Sequence, residues 1–84
     1  MRRYASHYLI HPSLGMRKQQ IVEVEQGVAV CHYPLTEELE NVEWLPGVIT
    51  LEPDGQGRLC PVWMYPYDFT NQRTVAETQR RRLP

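Results

Sequence analysis

Seven prolines and five glycines interrupt the sequence at short intervals along its 84 residues. Proline breaks helices and sheet ladders because it has no N–H to donate, and glycine weakens both, so each regular element must be short. Between these residues lie runs rich in valine, isoleucine, threonine and aromatic side chains, which are typical of β-strands. The sequence therefore predicts short strands joined by turns.

The clearest local pattern is a hairpin. Residues 17–25 are predicted to form a strand with Val22 and Val24 on one side and Glu23 and Glu25 on the other, and Gln26-Gly27 joins it to a second β-rich run at 28–33. Two such runs around an X-Gly pair predict a hairpin. Glutamine tolerates a positive φ less well than asparagine, so we expect a type I turn with a bulge at Gly27 rather than a type I′ turn.

Further strands are predicted at 3–10, 48–52 and 58–65, with a short strand or loop at 42–45. Thr36 can cap a short turn or 3₁₀ segment near 36–40, because no apolar stripe follows that could hold a longer helix. The predicted fold class is all-β: a small antiparallel sheet or sandwich of about five or six strands.

A chain of this length forms one domain. We expect the β-domain to span 1–66 and an irregular basic tail to span 67–84. Within the tail, Thr74 and Glu77 fit a capping box, so a marginal helix at 75–82 is the alternative to an absence of regular structure.

Charge is segregated along the chain although the net charge is only −1. Residues 1–18 contain four basic and no acidic side chains, residues 19–57 contain eight acidic and no Lys or Arg, and the remainder is again mainly basic. One explanation is that basic and acidic strands alternate in the sheet, where facing charges attract. The other is a basic tail that binds a polyanion.

The two cysteines, Cys31 and Cys60, are too few for a disulfide scaffold, and no apolar segment follows Arg2 and Arg3 as it would in a secretory signal. No apolar run approaches the ~20 residues that span a bilayer. We therefore expect a cytoplasmic protein with reduced thiols and no membrane partner, and a cross-strand disulfide is the alternative for the cysteines.

Residues that could carry out catalysis are sparse. The histidines, His7, His11 and His32, lack the spacing of metal ligands, and Ser6 and Ser13 do not lie in a nucleophile motif. We predict no catalytic, cofactor-binding or metal-binding residues and no enzymatic activity.

The order of elements resembles the small β-sandwich domain that accompanies the catalytic barrel in metal-dependent amidohydrolases. The resemblance covers residues 3–50 and rests on the hairpin at 21–30, the acidic connector at 35–39 and the Trp-Leu-Pro-Gly step within 44–49. It implies a stand-alone accessory β-domain. The family's His-x-His metal motif does not follow that step here, so no metal or catalytic residue is implied for this chain.

Three functions follow as hypotheses. The first is a non-catalytic β module that acts through protein contact, with an unknown protein or a second copy of the chain, along an exposed strand edge at Arg58–Tyr65. The second is a module that binds a small molecule or polyanion through its aromatic residues and basic ends, although the composition does not favour nucleic acid. A fragment of a metal-dependent hydrolase is a third and weaker alternative. The candidate contact residues are Arg58, Trp63, Tyr65, Arg80, Arg81 and Arg82.

Overall fold

The structure is a computed structural model that describes residues 1–36, 41–71 and 73–84. Over these residues the chain forms seven strands and no helix. The strands are β1 (Arg2–His11), β2 (Gly15–Lys18), β3 (Gln20–Glu25), β4 (Val28–Pro34), β5 (Val42–Pro53), β6 (Leu59–Asp68) and β7 (Arg73–Arg82). All seven belong to one sheet, which confirms the predicted β class.

Strand β1 occupies the centre of the sheet, whose order is β4-β3-β1-β5-β6-β7. On one side the first half of β1 pairs with β3 and its second half pairs with β2, both antiparallel. On the other side β1 pairs with β5 in parallel. The sheet is therefore mixed, whereas the sequence pattern predicted an antiparallel one, because alternation within a strand does not reveal the direction of its neighbour.

The strand predicted at 17–25 is two strands, β2 and β3, which separate at Gln19. Gln19 has a positive φ of 48°. Its amide donates to the carbonyl of His7 at 2.9 Å, and its own carbonyl accepts from the amide of Leu35 at 2.8 Å. Both polar groups of the break are thereby satisfied, so the chain can change pairing partner without leaving the sheet.

The hairpin between β3 and β4 is confirmed, and Glu25 faces Val28 across a two-residue loop. Gln26 and Gly27 have φ values of 53° and 78°. Positive φ at both positions defines a type I′ turn, so the predicted type I turn with a bulge at Gly27 is wrong. The register shift lies in the strands instead, where Val30 is the extra residue of β4.

Two apolar clusters lie on opposite faces of the sheet. The major core contains Tyr4, Leu9, Val22, Val24, Leu45, Ile49, Leu51 and Leu83, with Ala29, Leu59 and Trp63 packed against it. The minor core contains Val48, Val62 and Met64, with Tyr8, Ile10 and Tyr67 packed against it. Because adjacent residues of a strand point to opposite faces, β5 and β6 contribute to both clusters and are largely buried.

The predicted edge at Arg58–Tyr65 is wrong, because β6 lies between β5 and β7. Pro61 is accommodated in this interior strand at the end of the β7 ladder. The last paired residue of β7 is Arg82, opposite Val62, and beyond it the amide of Leu83 donates to the carbonyl of Pro61 at 3.0 Å. In an antiparallel strand the N–H and C=O of one residue point to the same side. The N–H that Pro61 lacks would therefore point towards Leu83, which lies beyond the last paired residue of β7, so the ladder loses no hydrogen bond there.

The predicted boundary at residue 66 is also wrong. Strand β6 continues to Asp68, and residues 73–82 form β7 rather than an irregular tail or a helix. Leu83 then enters the major core with 5% of its surface exposed. The segment at 75–82 was difficult to predict because a strand exposed on both faces needs no apolar alternation. The predicted turn near 36–40 falls largely on residues 37–40, outside the described residues.

Candidate functional site

A groove of about 610 Å³ lies between β6 and β7. We call it the β6–β7 groove. Its lining residues are Trp63, Tyr65, Pro66, Glu77, Gln79, Arg80 and Arg81. Four of the six contact residues suggested by the sequence therefore converge at one site.

The pairing register explains why these side chains meet. Trp63 of β6 lies directly opposite Arg81 of β7, and Tyr65 lies directly opposite Gln79. Residues that face each other across a ladder project from the same side of the sheet. Strand alternation therefore places two aromatic rings, one guanidinium and one amide on a common surface.

The aromatic side of the groove is anchored from beneath. Trp63 packs against the major core, and its indole Nε1 donates to the carbonyl of Pro46 at 2.6 Å. The Tyr65 ring lies nearly parallel to it, with 6.4 Å between ring centroids and 26° between planes, and half of Tyr65 is exposed. The groove thus has a fixed indole and an accessible phenol.

The two arginines of the groove differ in their partners. Arg80 forms an ion pair with Glu52 of β5. Arg81 has no carboxylate partner among the described residues. Glu77 contributes an acidic group to the groove wall. The groove therefore offers one available cation beside aromatic rings, rather than a broad basic surface.

The other two predicted contact residues lie elsewhere. Arg58 belongs to the turn that leads into β6, where its Nε donates to Asp54 Oδ2 at 2.9 Å. Two backbone amides, those of Gln56 and Arg58, also donate to Asp54 and hold the pKa of its carboxyl below the usual range. Arg82 lines a second cavity of about 410 Å³ with Glu52, Cys60 and other residues.

A second polar cluster surrounds Glu23 on the face opposite the major core. Its carboxylate accepts a hydrogen bond from the Tyr33 hydroxyl at 2.6 Å, one from Arg3 Nε at 3.1 Å and a weaker one from Cys31 Sγ at 3.4 Å. The bonds from Tyr33 and Arg3 lower the pKa of Glu23. The bond between Tyr33 and Glu23 also raises the pKa of the Tyr33 hydroxyl. Burial, followed by the contact with Glu23, raises the pKa of the Cys31 thiol, which disfavours its thiolate form.

The three histidines lie in two different environments. The rings of His11 and His32 are 5.4 Å apart, and His11 Nδ1 accepts the backbone amides of Ser13 and Leu14. That role places the proton of a neutral His11 on Nε2, where it blocks metal coordination. His7 contacts the rings of Trp44 and Phe69 instead. Over residues 1–36, 41–71 and 73–84, no three His, Cys, Asp or Glu side chains are grouped as a metal site would require.

Sequence reasoning missed Gln79, Glu77 and Pro66 as parts of the groove. Strand alternation places Gln79 on the same face as Arg81, but this can be predicted only if residues 75–82 are assigned to a strand. Glu77 reaches the groove because β7 bulges between its two paired ends. No local sequence pattern predicts that bulge.

Comparisons with protein-family models, curated proteins and solved structures returned no match for this chain. Nothing in them links it to the amidohydrolase accessory domains that its sequence resembles. The part of the chain described here contains no helix able to cross a membrane. The function proposed below consequently rests on the geometry of the groove.

Proposed function

We propose that this chain is a non-catalytic binding module that acts through protein contact, and that the β6–β7 groove receives an extended acidic segment of a partner protein. One observation carries the proposal: neighbouring strands place Trp63 and Tyr65 beside Arg81 in a single accessible groove. Tryptophan, tyrosine and arginine are the residue types that contribute most binding energy at protein interfaces.

The dimensions of the groove suit a peptide. Its volume of about 610 Å³ is within the range of sites that enclose a few side chains of a ligand. The exposed ring of Tyr65 can pack against an apolar side chain, while Arg81 can bind a carboxylate with two parallel hydrogen bonds. An acidic segment that also carries apolar residues matches both features.

The alternative ligand, a polyanion held by the basic ends of the chain, is less well supported. Arg3 is paired with Glu23 and Arg80 is paired with Glu52, which removes two of the cations that such a site would use. A nucleic-acid surface requires several neighbouring unpaired cations, since affinity grows with the number of phosphates neutralised.

We also propose a cytoplasmic location. Cys31 is exposed, Cys60 is buried and neither forms a disulfide, as a reducing compartment would require.

The test is a titration with a synthetic peptide of about eight residues that alternates valine and glutamate around a central Glu-Glu pair. We expect saturable amide shifts in the ¹H–¹⁵N spectrum, centred on Trp63, Tyr65 and Arg81. Arg81→Glu should weaken binding by at least tenfold, since it replaces an attraction with a repulsion. Arg17→Glu is the matched control, because Arg17 is an exposed arginine of β2 outside the groove, and it should change affinity less than twofold.

Two further probes decide between ligand classes. The same peptide with lysine in place of glutamate should not bind. An oligouridylate should bind more weakly than the acidic peptide. Equal binding of the lysine peptide, tighter binding of the oligouridylate, or no shifts at the groove would each overturn the proposal.

A further inference from the structure

The outer edge of β7 is the accessible edge of the sheet next to the groove. Among the described residues β7 pairs with β6 alone, and its side chains are exposed except for the half-buried Thr78. The opposite edge strand, β4, is interrupted by the extra residue Val30 and ends at Pro34. Both features hinder the addition of another strand there.

Only part of β7 offers a regular edge. Residues 79–82 pair one by one with residues 62–65 of β6. Before them the chain bulges: the amide of Val75 donates to Thr78 Oγ1, and that hydroxyl donates to the carbonyl of Pro66. The regular edge is therefore four residues long and lies along the β6–β7 groove.

From this edge we infer that the partner segment binds by strand addition to Gln79–Arg82, and that it carries two consecutive acidic residues opposite Arg81 and Arg82. The inference rests on the proposed function and specifies its backbone geometry. In an antiparallel ladder a residue that is not bonded to one neighbour directs its N–H and C=O towards the other side. Alternate residues of 79–82 thus present free backbone groups to an incoming strand.

The acidic pair follows from side-chain direction. Arg81 projects to the groove face and Arg82 projects to the opposite face, because they are adjacent in a strand. Neither has a carboxylate partner in the described part of the chain, whereas Arg80 is already paired with Glu52. Consecutive residues of an added strand also alternate between the two faces, so two acidic residues in sequence neutralise both arginines.

The same charges argue against a second copy of this chain as the occupant. A symmetric antiparallel pairing of two β7 strands along residues 79–82 sets Arg80 and Arg81 of one copy directly opposite Arg81 and Arg80 of the other. Like charges directly opposite each other destabilise a ladder. The edge is thus suited to an acidic partner and opposed to self-pairing.

The test uses N-methylated versions of the Glu/Val peptide. One version is methylated at the odd-numbered amides and the other at the even-numbered amides. If the peptide adds as a strand, only one of the two sets of N–H groups faces β7. We expect one version to lose at least tenfold in affinity and the other to stay within twofold of the unmodified peptide.

The outcomes separate the two proposals. If the unmodified peptide binds at the groove but the two methylated versions behave alike, strand addition is wrong and the proposed function stands. If the unmodified peptide does not bind, both fail. Two measurements check the argument against a second copy independently. Sedimentation equilibrium shows whether the chain forms a dimer, and hydrogen exchange shows whether the amides of Gln79–Arg82 become protected in it. A dimer with those amides protected would overturn the argument.

Discussion

Glu23 shows how a single polar residue can hold three strands together. Arg3 on β1 and Tyr33 on β4 both donate to its carboxylate from the strands that flank β3. Charge-assisted hydrogen bonds of this kind are stronger than neutral ones. The alternating charge blocks of the sequence predicted cross-strand pairs of this type, and the Arg3–Glu23 pair is one.

Glu23→Gln is expected to destabilise the protein in a pH-dependent way. Because folding lowers the pKa of Glu23, its ionised form stabilises the folded state above the unfolded pKa of about 4.3, and this stabilisation is lost as the pH falls through the lower, folded value. The free energy of unfolding of the variant should therefore be below that of the wild type at pH 7, and the difference should narrow below about pH 4.

Urea denaturation between pH 3 and pH 7 measures this difference. Glu25→Gln is the matched control, since Glu25 is an exposed residue of the same strand with no ion pair among the described residues. A pH-independent effect of Glu23→Gln, or an equal effect of Glu25→Gln, would contradict the role assigned to Glu23.

The β3–β4 hairpin shows which parts of an element can be predicted from local sequence. Strand alternation and the Gln26-Gly27 pair were sufficient to predict the hairpin and its two-residue loop. The turn type was not predictable from Gln26 alone, because the twist of the paired strands imposes a type I′ turn even on a residue that disfavours positive φ.

Gln26→Asn should stabilise the protein. Asparagine adopts a positive φ at lower cost than glutamine, so the substitution should raise the free energy of unfolding by about 0.5–1 kcal/mol. Thermal or urea denaturation measures the change. Gln56→Asn is the control, because Gln56 is a turn residue without a positive φ, and it should not show this gain. A loss of stability in Gln26→Asn would exclude strain at this turn.

At the scale of the whole molecule, composition and turn spacing predicted the β class, whereas topology and domain limits needed the structure. The interior position of β6 depends on β7, and β7 carries no apolar pattern that distinguishes it from a loose tail. Trp63, Tyr65, Arg80 and Arg81 could be suggested from residue type. Their convergence depends on which residues of β6 face which residues of β7. The sequence of neither strand specifies that pairing.

Leu83→Ala tests whether the last segment belongs to the domain. Leu83 is part of the major core, so its truncation should lower the free energy of unfolding by about 2–3 kcal/mol. Leu14→Ala is the matched control, because Leu14 is half exposed, and it should change stability by less than about 0.5 kcal/mol. If the two substitutions have equal effects in urea denaturation, the segment after β6 does not contribute to the core.

The parallel pairing of β1 with β5 has a consequence for how the chain folds. Strands β1 to β4 form one antiparallel meander from residues near in sequence, and β5 to β7 form another. The β1–β5 seam that joins them brings together Arg3 and Val42, about 40 positions apart. Closing that loop costs chain entropy before any contact repays it. We therefore expect the docking of the two meanders, rather than the formation of either, to limit the folding rate.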